Sequence, residues 1–278
     1  MSLVRILARS VDLIPWRLRN RIKSIPGVAS FQRCLVNRVM VDKEFVHTIS
    51  AGPASGLNFR VRLPDDKLYW TGTWEHDITT TIAAQVRPGL TCLDVGAHRG
   101  FMAGVMARNG ASRVICFEPN PDNAAAIADL VSLNPNLPIE VMALAVGAED
   151  ALAQFEIMPE SSMGKLSTST FQNEETGART IDVTIRTLDG LVAEGALPIP
   201  GFLKIDIEGA ELDALYGAAG LIESHHPTLL IEAHSYDLLH GCADWLRDRG
   251  YSLSVIQTPL EGITPETFKV CHLLAQPA

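Results

Sequence analysis

Thr91-Cys-Leu-Asp-Val-Gly-Ala-His-Arg-Gly100 passes from an apolar stretch into a glycine-containing loop, and a helix pattern opens near Phe101. A strand that turns through glycines into a helix marks a nucleotide-cofactor loop, because glycine lets backbone approach a ligand with no side chain between them. Gly96 and Gly100 hold those places, with Ala97 and His98 between them, and Asp94 stands at the strand end, facing whatever the loop holds. A carboxylate there disfavours a pyrophosphate and suits a cation. The dinucleotide fingerprint G-x-G-x-x-G is also missing, since the chain reads Asp94-x-Gly96-x-x-x-Gly100. The loop therefore leans away from nicotinamide and flavin dinucleotides and toward S-adenosylmethionine, whose ammonium and sulfonium are both positive.

Working outward, Val114 to Phe117 is a second strand, and Glu118 directly after it stands where an acidic side chain accepts hydrogen bonds from both ribose hydroxyls. Asn120 is placed to cap a helix that carries Pro121 at its first position. A third strand is expected over Ile139 to Val146; at its end Ala145 either supports an adenine edge or packs in the core. Residues 152–187 break the rhythm and predict an insertion beside the site. Strands at Gly201 to Ile207 and Thr228 to Glu232 then alternate with helices at Ala210 to Tyr216 and Tyr236 to Arg249, and strands near Leu253 to Ile256 and Val270 to Leu274 close the pattern. This alternation predicts an α/β fold with a Rossmann-like sheet of about seven strands flanked by helices. Upstream, a helix over Glu75 to Val86 follows a strand pair within residues 38–64, so residues 1–65 read as an extension and 66–278 as the cofactor domain.

Hydrophobic residues at 47% of 278 allow one substantial core. Residues 1–40 carry eight Lys/Arg against Asp12, a net of +7, so the remainder holds -16 of the total -9. An acidic body argues against nucleic acid as the main partner. The segment 1–25 sets arginines among Leu3, Ile6, Leu7, Val11, Leu13 and Trp16. It reads either as an amphipathic helix resting on an anionic membrane surface or as a helix packed on its own domain or on a second copy in a homodimer. A mitochondrial transit peptide of similar composition ranks third. Cys34, Cys92, Cys116, Cys242 and Cys271 are scattered, with no metal-ligand spacing, and read as reduced core residues. No apolar run reaches the roughly 18 residues of a membrane span. A cytoplasmic protein, peripheral at most to the inner face of a membrane, is expected.

Several segments together resemble the FkbM-type S-adenosylmethionine-dependent methyltransferases: Gly72-Thr-Trp-Glu75, Leu93 to Gly100, Phe117-Glu-Pro119, Thr187-Leu-Asp189, Leu203-Lys-Ile-Asp-Ile-Glu-Gly-Ala-Glu211 and Pro227 to Glu232. The Lys204 to Glu211 block is the most specific of these. The resemblance implies a class I methyltransferase fold with strand order 3-2-1-4-5-7-6, S-adenosylmethionine as cofactor, and methylation of hydroxyls on glycans or natural products. It also implies that Glu75 reaches the amino-acid end of the cofactor; its other reading is a first-turn helix charge. His98 stands where the family usually has Asn. A nicotinamide oxidoreductase on a similar sheet and a noncatalytic scaffold remain the competing classes.

Methyl transfer from a sulfonium asks the protein to align a nucleophile and remove a proton from it. Asp206 and Glu208 follow the fourth strand, and Glu232 and His234 the fifth, so all four are expected above the cofactor in one crevice. His234, largely neutral near pH 7 if unperturbed, is the expected base, with Asp206 as rival, and Glu232 or Asp206 is expected to hold the ring. Its other reading is a residue at a helix entry. Glu211 is read chiefly as a helix-start charge. Such a group has the composition for a divalent ion, but no spacing demands one and no metal is assigned. Residues 160–172, rich in Ser and Thr, read as a lid over a sugar or as a solvated loop. His225 and His226 read as loop residues, as do the remaining histidines.

Overall fold

Short apolar runs of four or five residues, each followed by a turn and an amphipathic stretch, dictate strands buried on both faces by covering helices. The computed structural model describes residues 43–157, 164–166 and 179–278. The expected helix over 1–25, the strand residues Val39 to Val41, Cys34, and the hydroxyl-rich stretch apart from 164–166 lie outside them. By internal contacts the chain divides into Met1–His76 and Asp77–Ala278, where the sequence suggested a boundary at 65.

In the first unit β1 (Glu44–Thr48) pairs antiparallel with β2 (Asn58–Arg62), and Phe45, His47, Phe59 and Val61 alternate inward. The helix α1 (Lys67–Thr71) sets Tyr69 against Phe59, with ring centroids 5.5 Å apart, and against Trp74 at 4.5 Å. Glu75 belongs to this unit and has φ 41, immediately before α2 (His76–Gln85), so it precedes the helix rather than sitting in its first turn.

The second unit carries β3 (Thr91–Val95), α3 (Phe101–Arg108), β4 (Arg113–Phe117), α4 (Pro121–Leu133) and β5 (Ile139–Met142). Then come β6 (Ala145–Val146), β7 (Ala151–Ile157), β8 (Gly164–Leu166), β9 (Arg179–Arg186) and α5 (Leu188–Ala193). The remainder is β10 (Phe202–Ile205), α6 (Glu211–Tyr216), α7 (Ala219–His225), β11 (Thr228–Ala233), α8 (Tyr236–Arg247), β12 (Tyr251–Val255) and β13 (Cys271–Pro277). Seven strands form one sheet in the order β12-β13-β11-β10-β3-β4-β5, parallel except where β13 runs against both neighbours. Counted along the chain within this sheet, the order is 3-2-1-4-5-7-6. Leu93, Val95, Ile115, Phe117, Leu203, Ile205, Leu229 and Ile231 from its central strands are buried in the core. No helix among the described residues is long and apolar enough to cross a membrane.

The expected third strand is two elements. The sheet releases the chain after Met142, and Ala145 and Val146 pair in parallel with Ile185 and Arg186 in a second sheet of order β6-β9-β7-β8. This sheet is the expected insertion. Ala145 packs there with Phe155 and Val183 and is 7% exposed, which is the core reading of that residue.

Two short helices not read from the sequence explain the Thr187-Leu-Asp189 motif. The Thr187 hydroxyl caps α5 by accepting from Gly190 N at 3.1 Å, and the Asp189 carboxylate accepts from Gly220 N and Leu221 N, both at 2.8 Å, at the start of α7. Replacing Asp189 with Ala leaves both donors without a protein acceptor, and a loss of about 1–2 kcal/mol in urea unfolding is expected.

Candidate active site

Parallel strands end on one edge, so the side chains at the carboxyl ends of β3, β4, β10 and β11 share it. The loop after β3 is pinned by Gly96 N and Ala97 N, which donate to Phe117 O at 3.0 and 3.1 Å, while Asp206 N donates to Val95 O at 2.9 Å. Gly96 has φ 80, and a Cβ there would stand 1.8 Å from the Asp206 carbonyl oxygen. At Gly100, φ 77, a Cβ would meet Leu130 Cδ2 at 2.9 Å. Both glycines are thus demanded by close approach of protein to protein, where the sequence suggested a ligand. His98 has φ 50, a left-handed conformation that Asn, Asp and His tolerate best, so His in place of the family's Asn keeps the loop's path.

Glu118 is 5% exposed and both its oxygens are engaged: Oε2 accepts from His98 N at 2.7 Å and Oε1 from Asn120 N at 2.9 Å. It therefore ties two loops together, and any hydroxyl it receives shares oxygens already in use. Burial pushes its carboxyl up to about 7, against the pull of those backbone donors. Asn120, buried, spends its Oδ1 on Asp122 N at 3.0 Å as the helix cap. Asp94 is wholly buried; among the described residues no side chain hydrogen-bonds its carboxylate, and the Ala103 backbone N–H is the donor beside it. Burial pushes it up to about 6, although the Lys204 ammonium, 3.9 Å from Oδ1, opposes the shift.

Beside this edge the structure gathers Asp206, Glu208, Glu232 and His234 as expected, and adds three residues. Lys204, 3% exposed on β10, places Nζ 2.8 Å from Asp206 Oδ2. Glu211, wholly buried at the start of α6, places Oε1 2.7 Å from His234 Nδ1. His272 on β13 stands opposite Glu232 in the antiparallel register, with Nε2 3.3 Å from Glu232 Oε2. The other ring nitrogen of His234, Nε2, lies 3.3 Å from Glu208 Oε2, 3.7 Å from Asp206 Oδ1 and 4.0 Å from Glu232 Oε1.

Three sequence expectations change here. Glu211, rather than Glu232 or Asp206, holds the ring. His234 is not a neutral base: burial opposes a charge on it, but the hydrogen bond to Glu211 and the surrounding carboxylates outweigh that and push it up to about 9. His272 is a sheet residue of the site, and His225 closes a helix, so neither is a loop residue. Burial raises Glu208 to about 7, whereas Asp206, with burial opposing, is held near 2 chiefly by Lys204. Lys204 was legible only as the residue two before Asp206. His272 had no sequence signal, since its role depends on register.

A sheet in this order, with acidic residues at the ends of its first two strands and a glycine loop between them, defines a class I methyltransferase fold. The chain belongs to the FkbM family: the model of the methyltransferase FkbM domain matches residues 94–253. It is 26% identical over 163 residues to hexuronic acid methyltransferase AglP of Haloferax volcanii, a match covering 58% of this chain and 63% of that relative. The chain thus spans less than two thirds of that relative's length. Among solved structures it is similar to methyltransferase FkbM from Methylobacillus flagellatus KT, at 19% identity over 75% of this chain and 52% of that one, TM-score 0.47. It is also similar to precorrin-6y C5,15-methyltransferase from Geobacter metallireducens GS-15, at 14% identity over 73% and 89%, TM-score 0.43. Family membership gives this chain a methyltransferase domain of the FkbM type.

Proposed function

We propose that the protein transfers the methyl group of S-adenosylmethionine to a hydroxyl of a carbohydrate, glycolipid or natural-product acceptor. The observation that carries this reading is Asp94: a fully buried carboxylate met by one backbone N–H, that of Ala103, and by an ammonium 3.9 Å away is costly unless a cationic or hydroxyl-bearing ligand also meets it. The cofactor then lies along Gly96, Ala97, His98 and Gly100. Glu118 receives ribose hydroxyls beside its backbone donors, with Asn120, on the loop that follows, holding the entry of α4 under them. Glu75 is proposed for the amino-acid end of the cofactor on the family motif alone.

Alignment does most of the work of such a transfer, and the proton of the acceptor hydroxyl must leave as the new bond forms. Asp206, Glu208 and Glu232, converging with His234 on one point, are the groups that hold the hydroxyl and take that proton. The name of the Haloferax volcanii relative supports a carbohydrate acceptor. Purified protein incubated with methyl-labelled S-adenosylmethionine and fractionated glycolipid and sugar extracts is expected to label a hydroxyl. Glu232→Gln is expected to lower kcat by about 10²–10⁴ with the cofactor Kd unchanged, the usual worth of a positioned acid–base group. Tight binding of NAD(H) without S-adenosylhomocysteine binding would overturn the reading.

A further inference from the structure

Asp206, Glu232 and His234 each offer one ligand atom, and these atoms all lie within 4.8 Å of one another. An ion held at roughly 2.0–2.6 Å from each donor spans that spacing. Two of the three, Asp206 and His234, are hydrogen-bonded by a residue outside the trio, and Glu232 has His272 beside it. Lys204 Nζ takes Asp206 Oδ2 at 2.8 Å, leaving Oδ1 inward. His272 Nε2 faces Glu232 Oε2 at 3.3 Å, leaving Oε1 inward. Glu211 Oε1 takes His234 Nδ1 at 2.7 Å, leaving Nε2 inward, where an ion would take the place of the Nε2 proton. A carboxylate behind the far nitrogen of an imidazole is the usual support of a metal-ligating histidine, because it fixes the tautomer and aims the ring.

A second observation is the excess of buried carboxyl groups around this point. Glu211 is wholly buried and aimed at this ring from α6, yet its Oε2 has no partner among the described residues. Five carboxyl groups, those of Asp94, Asp206, Glu208, Glu211 and Glu232, share the crevice with the Lys204 ammonium and the rings of His234 and His272. Buried carboxylates in such excess are stable with a cation among them.

We propose that Asp206, Glu232 and His234 form a binding site for a divalent first-row metal ion, with Glu211 as the residue that positions His234. Two carboxylates and one imidazole suit Mn²⁺, Zn²⁺ or Co²⁺ better than Ca²⁺. The ion's role rests on the methyl-transfer reading: a metal there draws the acceptor hydroxyl and eases loss of its proton, leaving Glu208 beside it to receive the proton. Its binding does not rest on that reading.

The test is titration of the full chain, stripped with a chelator, with Mn²⁺ alone, following the free-ion signal by electron paramagnetic resonance. One bound ion per chain is expected in the unmutated protein. Glu232→Gln and His234→Ala are each expected to weaken binding at least tenfold, and Glu211→Gln by about 10–100-fold, as removal of a supporting carboxylate does. Calorimetry with S-adenosylhomocysteine on the same samples reports whether the fold and the donor side are intact. In the unmutated chain, Mn²⁺ is expected to broaden the ring-proton resonances of His234. Free Mn²⁺ undiminished at millimolar concentration, unbroadened His234 resonances, or variants that hold both ligands as tightly as the unmutated chain would each overturn the site. Mn²⁺ bound without S-adenosylhomocysteine supports the metal site and sinks the methyl-transfer reading. The reverse sinks the metal site alone.

Discussion

Asp94→Asn is expected to resist unfolding better than the unmutated chain at pH 8 while losing S-adenosylhomocysteine binding. Asp94 is fully buried with no side-chain hydrogen bond, and burial raises its carboxyl from 3.8 to about 6 against the pull of Lys204 and the Ala103 N–H. The folded-state value lies above the unfolded one, so the folded protein holds the proton more tightly. Stability from this group is full below about 4 and is lost as pH rises through about 6. At pH 8 the charged form costs up to about 3 kcal/mol, at about 1.4 kcal/mol per unit. The buried amide of Asn returns part of that, since it too lacks side-chain partners, leaving a net gain of about 1–2 kcal/mol. Lys204 keeps its contact with Asp206 at 2.8 Å. Removing the charge proposed to meet the cofactor should weaken binding about a hundredfold or more. Urea unfolding at pH 8 and pH 5 together with calorimetry checks both halves. A variant less stable than the unmutated chain at pH 8, or one that still binds S-adenosylhomocysteine tightly, would show that Asp94 is a structural acid.

Gly96→Ala should cost the protein most. The added methyl would stand 1.8 Å from the Asp206 carbonyl oxygen and 2.8 Å from its carbon, both backbone atoms at the end of a central strand. Neither can yield without disturbing the Asp206 N to Val95 O bond of 2.9 Å and the strand pairing behind it. A loss of more than about 3 kcal/mol is expected from the collision and the left-handed backbone together. Gly195→Ala isolates the second part, since Gly195 has φ 72 and nothing within 4 Å of the added carbon; its cost should be about 1 kcal/mol. Equal denaturation midpoints for the two variants would refute the steric account.

Asp94, Glu118, Asp206, Glu232 and His234 were legible in the sequence for one reason. Each follows a short apolar run, and in a wound α/β sheet the ends of such runs share an edge. What stayed hidden depends on geometry that a pattern of residues does not encode. Ala145 and Val146 are as apolar as the strand before them, so nothing in the chain marks their departure to the second sheet. Glu211 reaches the His234 ring because of where a helix starts, and it takes the role expected of Glu232 or Asp206. The charge on His234 follows from how many carboxylates surround it, which the free-residue value of a histidine cannot foretell.

The placement of β13 bears on how the chain assembles. It lies between β11 and β12 although it comes last of the three in the chain, and β12 meets the sheet through β13 alone. During synthesis β12 therefore waits without a neighbour until residues 271–277 emerge, and one late insertion then seats two strands, covers the open side of β11 and delivers His272 to Glu232. Cutting the chain before residue 271 would strip both strands at once and expose the apolar edge of β11, the kind of edge that pairs with other chains.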